Sequence, residues 1–247
     1  MLVKPGERES LSQQLYKQLR SALMDGVLAP GERLTIASVS QQFGTSITPV
    51  REAIFRLVSE RALEMRAATS ISVPRIDTKQ LREIQVIRVN LEGAAVERAA
   101  PIITDTQLAH LEAIQHAFIA AARNNPQEAS VLNRDFHFAL LHIAGMPILE
   151  GIVENMWVLM GPFLRVFHDQ TPARFLSAEE HKHNDVLAAL RDRNPDAARL
   201  AITEDILSGL ELIRQMEEGT ASTVSLTAPK QNVRSLEGLG SLSPPRT

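Results

Sequence analysis

Three side chains able to meet a polyanion fall within a short stretch, "TSITPVREAIFRL" (residues 45–57): Ser46, Thr48 and Arg51. A helix starting here would aim free N–H groups and the positive end of its dipole outward from its first turn. Hydroxyl groups at such a tip suit phosphate oxygens, and Pro49 gives up an N–H that has no helical partner in any case. Arg51, one turn in, can reach a phosphate or the O6/N7 edge of a guanine. The plain alternative is a capped surface helix with a solvated arginine, so the choice depends on its surroundings. Arg88 is a second chemically loaded position. It interrupts an apolar helical stripe, where an unpaired guanidinium would be costly. Glu92, four residues on, can supply a carboxylate to its fork of donors.

The elements around these residues are legible from periodicity. Leu11, Leu15, Leu19 and Leu23 form an i, i+4 ladder, which predicts a helix ending near Gly26. "LAPGERL" turns on Pro30-Gly31, and Ile36, Val39 and Phe43 mark a short second helix stopped by Gly44. The opening stretch follows at once, with Val50, Ile54, Leu57 and Val58 inward and Thr48, Arg51, Glu52 and Arg56 outward. Two short helices on a glycine turn make a helix-turn-helix whose second helix is placed to enter a major groove. In "ALEMRAATSISVPRI" the helical period gives way to alternation, which fits a two-stranded wing ended by Pro74. In this context DNA binding is favoured over the plain alternative.

Beyond Asp77 the pattern is helical. Six helices with short connections are predicted, among them one capped by Thr104, one running from Pro126 to Gly145, one containing Gly161-Pro162, and two opened by Ser177 and Asn194-Pro195. The expected fold is mostly α: a winged helix-turn-helix domain over residues 1–76, then an all-α bundle of about six helices over 77–218. Residues 219–247 are Gly/Ser/Thr/Pro-rich without a period and are expected to be a disordered tail.

The chain has 247 residues and no cysteine, which excludes disulfide frameworks, thiolate metal sites and cysteine nucleophiles. Its net charge of −3 is uneven: residues 1–76 hold ten basic and seven acidic residues, and the remainder holds 16 and 22. A basic head on an acidic body suits a protein that meets nucleic acid through the head alone. With no signal-like or membrane-spanning apolar run, a cytoplasmic protein without a membrane partner is expected.

"LAPGERL", "GTSITPVREAIFRL" and the following wing resemble the head of the GntR family of bacterial transcription regulators, over nearly all of residues 11–74. The resemblance implies operator binding through Ser46, Thr48 and Arg51. Three positions depart from the family pattern. Ile47 and Ala37 stand where arginines are frequent, and Ser70 aligns with the glycine that enters the minor groove. A guanine-reading arginine is worth roughly 1–3 kcal/mol of base discrimination, and an isoleucine can instead touch a thymine methyl. An altered operator is therefore expected, with DNA binding retained.

"VIRVNLEGAAVERAA", "NRDFHFALLHIAG" and "HNDVLAALRDRNPDAARLAI" resemble the FadR-type subfamily, whose ligand domain is called FCD. The resemblance implies an effector pocket, often beside a metal held by an aspartate and three histidines. Carried over residue by residue, the ligands would be Asn133, His137, His183 and Asp205, with asparagine where aspartate is usual and aspartate where histidine is. Two imidazoles, a carboxylate and an amide oxygen can bind Zn, Ni or Mn. Each has a plainer reading: His137, between Phe136 and Phe138, as a hydrogen-bonded core histidine, and Asp205 as a solvated helix charge. His142 and His181 are surface or neighbouring groups. Arg88 resembles the arginine that meets an effector carboxylate in relatives, against the alternative of a buried pair with Glu92. Trp157, Phe163 and Phe167 can line the pocket or form core.

The reading that results is a homodimeric regulator, not an enzyme, which binds a near-palindromic duplex and answers to a small carboxylate effector. A metal-dependent enzyme built on His137 and His183 and a ligand-free helical interaction module are the alternatives. The chain has no "HExxH"-type element to support the first of these.

Overall fold

A computed structural model describes residues 9–67, 70–170 and 181–217. The predicted tail and Ser177 lie outside the described residues.

The first helix, α1 (Leu11–Met24), is capped by the Ser10 hydroxyl, which accepts from the Gln13 N–H. After a turn come β1 (Arg33–Leu34), α2 (Ile36–Gln42) and α3 (Ile47–Ser59). Thr35 and Ser38 form a reciprocal capping box at the start of α2. Gly44, at φ 59°, makes the left-handed bend that separates α2 from α3, a conformation in which a side chain would be strained. The wing is β2 (Glu64–Ala67) and β3 (Ser70–Ser72), which pair antiparallel. The two-stranded expectation needs one correction. Arg33 and Leu34 pair with Ser72 and Ile71, so the sheet has three strands in the order β1-β3-β2. Two residues are too few for alternation to reveal a strand.

The bundle consists of α4 (Thr78–Ala99), α5 (Asp105–Ala121), α6 (Pro126–Ala144), α7 (Pro147–Gln170), α8 (His183–Arg191) and α9 (Pro195–Glu217). Capping boxes Asp77/Gln80 and Thr104/Gln107 open α4 and α5. Asn125 with Pro126 opens α6, and Gly145 ends it at φ 64°. One core joins α4, α5, α6, α8 and α9 through Val96, Leu111, Phe136, Leu190 and Ile202, and a second joins α4, α6 and α7 around Trp157 and Phe163.

Head and bundle meet on α7. Val158 of α7 belongs to the same buried cluster as Leu15, Leu19 and Leu57 of the head. A Cβ at Gly161 would overlap the backbone carbonyls of Leu23 and Met24, so glycine is what lets the end of α1 lie on α7. Beside this contact Arg20 is buried, bonded through Nη1 to Glu154 at 2.5 Å and through Nη2 to Asn155 at 2.8 Å. Arg134 of α6 pairs with Asp25 just past α1. Among the described residues no helix is long and apolar enough to cross a membrane.

Candidate nucleic-acid interface and buried histidine site

The tip of α3 is open. Ser46 occupies the N-cap position with extended backbone but makes no side-chain capping bond. Ile47 is 50% exposed, and Thr48, Arg51 and Glu52 are exposed with it. Val50, Ala53, Ile54 and Leu57 are buried beneath, which fixes the outward face. Arg56 is outward too but is tied down: its guanidinium lies 3.6 Å over the Tyr16 ring and bonds Gln13 and Glu60. Ala37 is exposed in the first turn of α2, and half-buried Ser70 opens β3.

The bundle site is the opposite kind of surface. His137 on α6, His183 on α8 and Asp205 on α9 offer ligand atoms that all lie within 4.8 Å of one another. His137 Nε2 is 3.2 Å from one Asp205 oxygen and His183 Nε2 is 3.7 Å from the other. Asn133, half-buried, stands one helical turn before His137 on α6. Outside this trio each imidazole is held through its other nitrogen, His137 Nδ1 by Glu92 at 2.7 Å and His183 Nδ1 by Gln115 at 2.8 Å. His183 stacks on Phe136 with ring centroids 3.8 Å apart.

Of the alternatives for Arg88, the structure has the buried pair: Nε donates to Glu92 at 2.5 Å and Nη2 at 3.3 Å. The guanidinium also lies 4.3 Å over the Trp157 ring, and Trp157 Nε1 donates to Glu92 at 3.3 Å. Trp157 and Phe163 are both buried, Trp157 also against the His137 ring, while the side chain of Phe167 lies outside the described residues. His142 is on the surface, 3.7 Å from Glu150. His181 is drawn further in than expected, its ring 4.3 Å from that of His183.

Electrostatics bind the cluster together. Burial alone would raise the Glu92 carboxyl, but the charges of Arg88 and His137 and their hydrogen bonds outweigh it and hold it down to about 2. Asp205 is half-buried, which works against its charge, yet His183 and His137 keep it well below the usual carboxylate range. Burial works against a charged His137, and the carboxylates of Glu92 and Asp205 on its two sides overcome this and raise its pKa. His181 is lowered, chiefly by burial.

This donor set fits a divalent cation. Two imidazole nitrogens and a carboxylate converge, and partners on the far nitrogens fix the rings as they do around bound metals. Sequence reasoning missed Gln115 and the contact of Glu92 with His137. The one signal for Gln115 is a polar residue amid the apolar spacing of Leu111, Ile114 and Phe118. The helix α7 touches both regions, with Trp157 and Met160 on Glu92 and Arg88, and Glu154, Asn155, Val158 and Gly161 on the head.

Residues 11–73 match the family described as "Bacterial regulatory proteins, gntR family", and residues 83–208 match the FCD domain. The HTH-type transcriptional regulator McbR of Escherichia coli (strain K12) is 36% identical over 208 residues, spanning 83% of this chain and 94% of that protein. The HTH-type transcriptional repressor RspR of the same strain is 30% identical over 213 residues, spanning 85% and 92%. The solved structure of E. coli McbR/YncC superposes with a TM-score of 0.78 at 34% identity, covering 85% of this chain and all of that one.

Proposed function

The chain belongs to the gntR family of bacterial regulatory proteins and carries an FCD domain, which makes it a DNA-binding transcriptional regulator, and we propose that a small carboxylate-bearing metabolite bound in the bundle controls it. The observation that carries this reading is the convergence of His137, His183 and Asp205 from three helices at one buried point. Those three residues, with Asn133, would hold Zn, Ni or Mn. When bound, the cation supplies a positive charge for an anionic effector group in a low-dielectric setting. Glu92 and Gln115 orient the two imidazoles. Arg88 enters as a second positive group beside the site, held by Glu92 and facing the effector only as far as that pair yields.

Control of DNA binding requires that the effector prefer one arrangement of head and bundle over the other. The helix α7 is one physical link, because Trp157 and Met160 border the site while Val158 and Gly161 seat α1, and α6 is a second through Arg134 on Asp25. The head reads a near-palindromic operator through Ser46, Ile47, Thr48 and Arg51, with the wing at Ser70 beside it. Two copies bring two heads to such a site. Residues 1–76 and 77–218 are proposed as the two working domains, acting in the cytoplasm.

The test is metal analysis of purified protein with a thermal-shift screen of organic acids. Wild-type protein should carry a divalent metal that His137→Ala loses, and an acid that binds should raise the melting temperature of the loaded form alone. Absence of metal from both proteins after growth with Zn, Ni and Mn would remove the cation from the reading. A screen with no stabilising acid would remove the carboxylate effector.

A further inference from the structure

The outward face of α3 carries an unusual set of side chains for a surface facing a polyanion. Ile47, Arg51 and Phe55 succeed one another at four-residue intervals, and Thr48 stands seven before Phe55, so all four share one side of the helix. Ile47 is 50% exposed and Phe55 48%, although both are large and apolar. Of the two arginines in α3, Arg56 is turned back onto Tyr16, Gln13 and Glu60, which leaves Arg51 as the arginine of this helix placed for the groove. Ile47 and Phe55 lie eight residues apart, about 12 Å along the axis, the rise of three to four base pairs.

Apolar groups two turns apart on a reading helix find no partner on phosphates and none on the donor and acceptor edges of guanine, cytosine or adenine. The C5 methyl of thymine is the apolar feature that the major groove offers. We propose that Ile47 and Phe55 read thymine methyl groups on either side of the base step met by Arg51, so that the operator half-site carries thymines flanking its central contact. The inference rests on α3 being the helix that enters the groove and goes beyond it by naming the base chemistry and a reader, Phe55, far from the tip.

The test uses the full chain to enrich a randomised duplex library. The most enriched duplex is then remade with deoxyuridine for thymidine, which keeps base pairing and removes the C5 methyl. At fixed salt, wild-type affinity should fall about fourfold for each methyl covered. In Ile47→Ser and Phe55→Ser variants the substitution should cease to matter at the thymines that each residue covers. Equal wild-type affinity for the two duplexes would overturn the inference while leaving DNA reading intact. A methyl dependence unchanged in both variants would overturn the assignment to these residues. Failure to enrich any sequence would undo groove reading by α3 and the inference with it. The wild-type comparison does not depend on how the variants fold.

Discussion

The tip of α3 and the histidine cluster of the bundle both gather polar groups at one place, but they are built on opposite terms. At the tip each side chain stands exposed on a scaffold held from below by Val50, Ile54 and Leu57, and none of the outward residues supports another. In the bundle nearly every group is committed twice. Glu92 holds Arg88, His137 and Trp157, while His137 lies between Glu92 and Asp205. The tip is therefore free to change its side chains at little cost to the fold. The cluster cannot change one member without stranding another in a low-dielectric interior.

Glu92 is where that contrast is steepest. Replacing it with alanine would leave the Arg88 guanidinium buried without a carboxylate and His137 with Asp205 alone, a loss of about 3–5 kcal/mol. Urea denaturation should show it as a lower midpoint for the bundle. A loss under about 1 kcal/mol would mean that the cluster is wetter and less interdependent than its burial implies. A pH titration perturbs the same groups more gently. The Glu92 and Asp205 carboxyls are depressed from 4.5 and 3.8, so their contribution is full above those values and is lost as pH falls through the lowered ones. His137 is raised above 6.5, so its contribution is full below 6.5 and is lost as pH rises through the raised value. His181, lowered from 6.5, opposes this by favouring the folded state as pH rises. Chelator-treated protein should thus lose stability on the acid side below about 4.5, and an alkaline decline should be present in wild type and absent from His137→Gln. An identical alkaline limb in the two would break the assignment to His137.

The joint between the two regions gives an intermediate effect. Gly161→Ala would force α1 and α7 apart at the Leu23 and Met24 carbonyls, at about 1–3 kcal/mol. Gly151, on the same helix with open space around it, is the control, and alanine there should be neutral or stabilising. Calorimetry should show head and bundle separating into two transitions in Gly161→Ala alone. Thermal curves that match for both variants would mean that α7 does not seat the head through this contact.

How far each region could be read from the chain follows from the same difference. The head is built from consecutive elements, so the ladder Leu11–Leu23, the glycine at position 44 and the order of residues 46–51 carry it almost whole. The β1 strand escaped because two residues inside "LAPGERL" show no period. The bundle's six helices were legible from caps and spacing, such as Thr104 and Pro126 with Gly145. Its site was not legible from spacing, because His137, His183 and Asp205 come from separate helices and only a family register aligns them. Glu92 was visible as an i+4 partner of Arg88, but nothing in a linear pattern says that its second oxygen meets His137. Gln115, 68 residues from the histidine it holds, left no pattern beyond its polarity.

Ile47→Arg sharpens the comparison from the side of the tip, where the effect on the fold should be smallest. The position is half-exposed at the first residue of α3 and supports nothing beneath it, so stability should move by no more than about 0.5 kcal/mol. What should change is preference. An arginine here adds a bidentate donor one residue from the cap, worth about 1–3 kcal/mol toward a half-site with guanine at the contacted step, and it removes whatever preference Ile47 confers. Enrichment of a randomised duplex library by both proteins measures this directly. Equal stability with a shifted consensus is the expected pair of results. An unchanged consensus would mean that the start of α3 does not face bases, and a large loss of stability would mean that the tip is as interdependent as the cluster in the bundle.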